Sequence, residues 1–343
     1  MNVHRPDKTV ARQYIFLSLI ALCLIGAAHA AGQSGLNGVH PARRDDVTFG
    51  QSPESVYLFA YFKGNGEDGL HLARSDDGLV WRALNGDRSL LEPTVGKDRL
   101  MRDPHLSLGA DGLFHLVWTS SWTDPVIGHA TSRDLLHWSE QQGITPMTSE
   151  PAARNVWAPE LFYDESAGRY LLFWATTIPG RFPATDESGD NGLNHRLYLT
   201  TTADFRAFTP TTLFYDGGFN VIDATIVKSG RRYLMFLKDE TRHPTARKNL
   251  RYVVSRRAAG PYGQLSKVIT GNYWAEGPTA IKIDNRWIVY FDKYQEHRYG
   301  AVASPDLRRW TDVSAQLKFP AGARHGTVIR VPTARIGELL KLE

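Results

Sequence analysis

Five short phrases set ionisable side chains beside proline, alanine or glycine: Arg102-Asp103-Pro104-His105, Trp157-Ala158-Pro159-Glu160, Val221-Ile222-Asp223-Ala224, Glu276-Gly277-Pro278-Thr279 and Arg324-His325-Gly326-Thr327. A lone Asp-Pro is an ordinary turn signal. Four acids in matching phrases (Asp103, Glu160, Asp223 and Glu276) are a cluster, and a carboxylate at the start of a buried strand is costly without a partner. Clustered carboxylates suit glycosidic bond cleavage. One stays ionised to activate water, another holds a proton for the leaving oxygen, and a third negative charge nearby raises the pKa of the second. Trp157 and Trp274 stand beside the same phrases, where an indole either stacks on a sugar ring or serves packing alone.

The elements that would position these groups repeat. Ser75-Asp76-Asp77-Gly78 leads to Trp81, and the pattern returns as Ser132–Trp138, Thr202–Phe208 and Ser304–Trp310, with a weaker copy at Ser255 and Tyr262. The copies start 49 to 70 residues apart, the spacing of propeller blades. Upstream of each copy lies a run rich in β-branched and aromatic residues, such as Phe114–Trp118, Tyr170–Trp174, Tyr233–Phe236 and Trp287–Phe291, preceded by Gly, Asn or Asp turn signals. Each acidic phrase opens a unit. The last unit has only its first strand, at 325–331, while the N-terminal side offers unmatched strands at 57–62, 70–75 and 79–83. Joining the two ends into one blade closes the ring and removes exposed sheet edges. The chain is therefore expected to be all-β: a single five-bladed β-propeller over residues 45–333, with 334–343 as a C-terminal tail. A β-sandwich would not explain five three-part repeats. The first strands would line the channel, and the loops after the second strands would wall the pocket. The longest of these, 175–195, is expected to set which sugar fits, while Trp122, Lys238, Asp239, Tyr294 and Arg298 on or beside such loops are candidate hydroxyl binders.

The order Arg-Asp-Pro, Trp-Ala-Pro-Glu, Ile-Asp-Ala-Thr, Glu-Gly-Pro and Arg-His-Gly-Thr-Val resembles glycoside hydrolase family 43, over roughly residues 45–332; Tyr61-Phe62-Lys63-Gly64-Asn65-Gly66 also resembles some members. The resemblance implies a five-bladed propeller and hydrolysis with inversion. It gives Asp103 the role of general base, Glu276 that of general acid, and Asp223 that of the acid which orients Glu276 and raises its pKa. His325 matches a channel histidine that lies beside a calcium ion in many members. Calcium prefers oxygen, so contact through water is the expected arrangement. No cofactor is required for the chemistry. Within the resemblance α-L-arabinofuranosidase is the first expectation, then β-xylosidase or a galactofuranose- or galactan-directed hydrolase. A catalytically inactive sugar-binding propeller is the rival from another class, and it would need neither proton donor nor base.

Composition bounds the rest. The 343 residues include 38 aromatics, 42% apolar and 22% charged residues, which excludes a disordered, collagen-like or coiled-coil chain. Arg5, Lys8 and Arg12, an apolar run from Tyr14 to Ala28, and Ala28-His29-Ala30 read as a secretory signal peptide over 1–30, followed by a linker over 31–44. The signal carries half of the net charge of +4 and the single cysteine, Cys23. The mature protein would then be periplasmic or secreted, disulfide-free, without a membrane partner and monomeric. No basic patch marks a nucleic-acid binder; the expected partner is a carbohydrate.

Overall fold

A computed structural model describes residues 54–343. The expected signal peptide with Cys23, the 31–44 linker and residues 45–53 lie outside the described residues.

Alternating apolar runs between Gly, Asn and Asp turns fold as meandering antiparallel sheets. β1 (Ser55–Phe62), β2 (His71–Ser75) and β3 (Arg82–Ala83) begin the first blade. The second holds β4 (Arg102–Leu108), β5 (Phe114–Thr119), β6 (Ile127–Ser132) and β7 (Gln142–Ile144). The third holds β8 (Trp157–Asp164), β9 (Arg169–Thr177), β10 (His195–Thr202) and β11 (Thr212–Tyr215). The fourth has three strands, β12 (Val221–Ser229), β13 (Arg232–Asp239) and β14 (Asn249–Ser255), and the fifth has β15 (Glu276–Ile283), β16 (Arg286–Lys293), β17 (Arg298–Ser304) and β18 (Thr311–Asp312). β19 (Arg324–Pro332) pairs antiparallel with β1, Ser55 opposite Pro332, and completes the first blade from the other end of the chain. The innermost strands β19, β4, β8, β12 and β15 each touch the next around a closed ring. The expected five-bladed propeller, closed by its two ends, is the fold.

The Ser/Thr-x-Asp phrase has a local cause. At the end of each third strand the hydroxyl of Ser75, Ser132, Thr202 or Ser304 accepts the N–H three residues on, and the following Asp carboxylate accepts two more N–H groups. The residue at the turn (Gly78, Leu135, Phe205 or Leu307) is left-handed. These side chains satisfy backbone donors that would otherwise be stranded between third and fourth strands. Ser255 lacks the Asp, and its blade lacks a fourth strand. There residues 263–269 run beside β14 through only three backbone bonds.

Five apolar clusters fill the five gaps between neighbouring blades. β9 shows how period-two alternation builds them: Leu171, Phe173 and Ala175 face the fourth blade while Leu172 and Trp174 face the second. Both faces are buried, so truncating Trp174 to alanine would cost about 3–5 kcal/mol. Residues 334–343 pack rather than trail: Ile336 and Leu339 are buried with Leu58, Leu72 and Leu106, and the Glu343 side chain pairs with Arg74 and Arg82. Among the described residues no helix is long and apolar enough to cross a membrane.

Candidate active site

Each acidic phrase folds as a β-bulge. The register of the innermost strand slips between Arg102 and His105, Trp157 and Glu160, Ile222 and Thr225, and Glu276 and Thr279. In the first blade β1 slips opposite His325-Gly326. The bulged residues Asp103, Ala158, Asp223 and Gly277 have φ of 51°, 47°, 53° and 60°. Left-handed backbone is strained for residues with a Cβ and is held where the surrounding structure over-determines it. Proline follows in three of the phrases, because a bulge leaves a position whose N–H is not needed by the ladder. The four acids are thus not equivalent. Asp103 and Asp223 occupy the bulge, Glu276 precedes it, and Glu160 lies beyond it.

At the mouth of the ring a pocket of about 260 Å³ is lined by Arg102, Asp103, Thr119, Trp122, Trp157, Ile222, Asp223, Lys238, Glu240, Glu276, Tyr294, Arg324 and His325. His325 Nδ1 lies 3.1 Å from Asp103 Oδ1, and the Thr119 hydroxyl donates to Asp103 Oδ2 at 2.8 Å. Burial opposes charge on Asp103, but the His325 imidazolium, then Arg102 and the Thr119 hydroxyl, hold its carboxyl well below the usual range. Burial likewise opposes charge on His325, yet Asp103, Asp223 and Glu276 push it up to about 9. Asp103 is therefore held ionised at the pocket wall.

Across the pocket Asp223 accepts the Gly277 N–H at 3.0 Å. Burial, reinforced by the charges of Glu276 and Asp103 and opposed by His325 and Lys238, pushes it up to about 6. Glu276 receives Lys238 Nζ on Oε2 at 3.0 Å and Arg324 Nη2 on Oε1 at 3.2 Å. Arg324 also donates to Asp292 at 2.7 Å, and Lys238 Nζ is closer to Glu240, at 2.6 Å, than to Glu276. Both cations are thus shared with a second carboxylate rather than given wholly to Glu276.

The expected triad Asp103, Asp223 and Glu276 converges, as do Trp122, Trp157, Lys238, Tyr294 and His325. Trp157 donates Nε1–H to the Trp122 carbonyl at 3.1 Å, and the two indoles meet edge-on at 5.5 Å, forming an apolar corner. Other expected residues lie outside the pocket lining. Glu160 is buried below the pocket, 3.5 Å from His105, because the extra bulge residue carries it past the mouth. Trp274 lies outside, tilted 6.0 Å from Tyr294 and under the Arg242 guanidinium, and borders a separate groove with Arg247, Arg251 and Tyr273. Arg298 turns outward to Glu296, and Asp239 is buried beneath Arg247. The 175–195 loop does not line the pocket either, since it is folded down onto segment 240–248.

Beside His325, whose Nδ1 is committed to Asp103, Glu276 is paired with Lys238 and Arg324, and among the described residues no three His, Cys, Asp or Glu side chains form a group that could hold a metal directly; the calcium contact expected at His325 is one through water.

Sequence reasoning missed Thr119, Arg102, Glu240 and Arg324. Thr119 ends β5 and accepts the Ala158 N–H of the next blade at 2.8 Å while donating to Asp103. The Arg102 guanidinium sits 4.8 Å from the Phe62 ring and 4.2 Å from the Trp122 ring, and Asn65 Oδ1 fixes it at 3.0 Å and Trp122 Nε1 at 3.2 Å. The Tyr61–Gly66 phrase was the available signal, for its loop carries Asn65.

A family model of glycosyl hydrolases related to family 43, described as a probable glycosyl hydrolase domain, matches residues 52–336. An α-L-arabinofuranosidase of Bifidobacterium longum is 29% identical over 118 residues, which span 32% of this chain and 11% of that relative's length. Among solved structures, an exo-β-1,3-galactanase of Phanerochaete chrysosporium superposes with a TM-score of 0.50 at 11% identity, covering 66% of this chain and 53% of that one. An α-L-arabinofuranosidase of Lactobacillus brevis gives 0.48 at 16% identity, covering 62% and 72%. Structural likeness at such identities speaks to fold alone.

Proposed function

The chain belongs to the family-43-related glycosyl hydrolases and carries a glycoside hydrolase domain, and from that premise we propose that it is an exported inverting enzyme removing terminal α-L-arabinofuranosyl residues from polysaccharide or oligosaccharide side chains. The observation that carries the mechanism is the contrast between two sides of one pocket. Asp103 is held ionised by His325 and Thr119, while Glu276 faces Asp223 among shared cations. Asp103 takes a proton from water as it attacks the anomeric carbon. Glu276 gives a proton to the departing oxygen, and Asp223 stands beside it as the acid that orients it. Water and leaving group act from opposite faces, so the anomeric configuration inverts.

The pocket of about 260 Å³ is smaller than the usual range for drug-sized ligands, and it suits one terminal sugar better than a threaded chain. Trp122 and Trp157 offer the apolar wall on which a sugar face stacks, and Arg102 and Lys238 offer donors to hydroxyls. The choice of arabinofuranose leans on the resemblance to the Bifidobacterium enzyme. Export rests on the basic start, apolar run and Ala28-His29-Ala30 of the N-terminus.

The test is a panel of aryl α-L-arabinofuranoside, β-D-xyloside and β-D-galactofuranoside, with the first product's anomer followed by proton NMR. Turnover of the arabinoside with inversion, abolished in Asp103→Asn and Glu276→Gln, is the expected outcome. Wild-type rates in either variant would sink the assignment, and preference for another glycoside would replace the sugar. Mass spectrometry of exported protein should find cleavage after Ala30.

A further inference from the structure

Behind Glu276 a line of alternating charges runs outward through the fourth blade. Lys238 Nζ bridges Glu276 at 3.0 Å and Glu240 at 2.6 Å. The other oxygen of Glu240 is held by Lys248 Nζ, which also reaches Asp190 Oδ2 at 2.7 Å. Arg242 closes the line on Asp190 from the surface at 3.4 Å. Lys238 and Lys248 are almost fully buried and Glu240 is mostly so, whereas Asp190 is half-exposed. Buried lysines of this kind persist only when paired. Asp190 belongs to the long third-blade loop, so its carboxylate is tied through the chain to the acid in the pocket.

The backbone fastens the same two segments. Arg242 and His243 donate N–H groups to the Ser188 carbonyl, and Glu240 donates its own to Asn220. Asn220 in turn donates to the Leu193 carbonyl and accepts the His195 N–H. Backbone and side-chain bonds thus join the loop to the β13–β14 connection.

Resting on the hydrolase reading above, we propose that Glu240 is a positioning residue: with Lys248 it links Asp190 of the long loop to Lys238, and by sharing Lys238 it sets how firmly that ammonium holds the proton donor Glu276. The loop thus acts on the site through charge without touching the sugar. Without Glu240, Lys238 keeps Glu276 as its one bridged carboxylate, and the position of the ammonium against the donor changes. The other titratable groups facing Glu240 and Lys238 are neutral His195 on β10, Asp223 on β12 and neutral Tyr294 after β16, while Glu276 is also faced by Arg324 on β19, which it shares with Asp292 on β16.

The experiment compares Glu240→Gln, Glu240→Asp and Asp190→Asn with wild type, and Glu165→Gln, a surface partner of Lys228, as control. In Glu240→Gln, kcat should fall about tenfold with KM changed less than about twofold. Asp190→Asn should lower kcat by less, and Glu240→Asp should restore part of it. The Lys238 ammonium resonance, followed by ¹⁵N NMR, should move in both Glu240→Gln and Asp190→Asn. That readout needs no turnover: a wild type inactive on every glycoside would sink the hydrolase reading, while the resonance would still decide the charge link. Asp190→Asn is the safeguard if Glu240→Gln fails to fold, because Asp190 is half-exposed. A folded Asp190→Asn with unchanged kcat and unmoved Lys238 signal overturns the proposal.

Discussion

His325 Nδ1 stands 3.1 Å from Asp103 Oδ1, both groups buried at the mouth of the ring. The imidazole is pushed up to about 9 although burial opposes it, because Asp103 and then Asp223 face it. A raised histidine contributes stability that is complete below its unfolded value of about 6.5 and is lost as pH rises through about 9. The depressed Asp103 carboxyl contributes stability present above its unfolded value of about 3.9 and lost as pH falls through its folded one. The pair is therefore at full strength between about pH 4 and 6.5. Thermal melts of wild type and His325→Gln should differ by up to about 3 kcal/mol at pH 6.5. The gap should shrink toward pH 9.5, and a gap that does not change would contradict the ion pair.

Asp223 titrates next to the donor. Burial, Glu276 and Asp103 push it up to about 6, and only its ionised form sets a negative charge beside the donor. The acid limb of kcat/KM should therefore fall near pH 6, well above an ordinary aspartate. Asp223→Asn should remove that limb and lower kcat by about a hundredfold or more. An acid limb unchanged in the folded variant would assign it to another group.

Thr119 makes two bonds with one hydroxyl, accepting from Ala158 N–H and donating to Asp103, both at 2.8 Å. Thr119→Val keeps the shape but strands the bulge N–H and one carboxylate oxygen. Stability should drop by about 1–3 kcal/mol, and kcat by about tenfold through misalignment of the base. Thr119→Ser should recover most of both. A loss in Thr119→Ser with Thr119→Val near wild type, read from melts and initial rates, would point to methyl packing instead.

The ring was legible because its signals are local. A Ser/Thr-x-Asp turn announces the end of each third strand, and Asp103, Asp223, Glu276 and His325 sit in phrases that open the innermost strands. What could not be read depends on side-chain direction and on partners far along the chain. The bulge resets the alternation, so Glu160, two residues past Ala158, drops into the channel beside His105 rather than facing the pocket. Arg298 opens β17 and had an outward partner in Glu296. The long loop was expected to wall the pocket, but Asp190 is drawn down by Lys248, from 58 residues away. Glu240 and Arg324 earn their places only through contacts with Lys238 and Asp292 that no spacing encodes.

Gly277 separates two reasons for glycine at a left-handed position. Its φ is 60°, and a Cβ there would come within 2.4 Å of the His325 ring, well inside contact distance. Gly230, in the β12–β13 turn, has the same φ of 60° with nothing within 4 Å of a Cβ. Gly230→Ala should therefore cost only the backbone term, about 1 kcal/mol, with activity intact. Gly277→Ala adds the clash: His325 must leave Asp103, or the bulge must move and take its N–H from Asp223. Its loss should exceed that of Gly230→Ala by about 1–3 kcal/mol, with kcat at least about tenfold lower. Should the two alanines prove equal in melts and in rate, the close approach of Gly277 to His325 would play no part in the site.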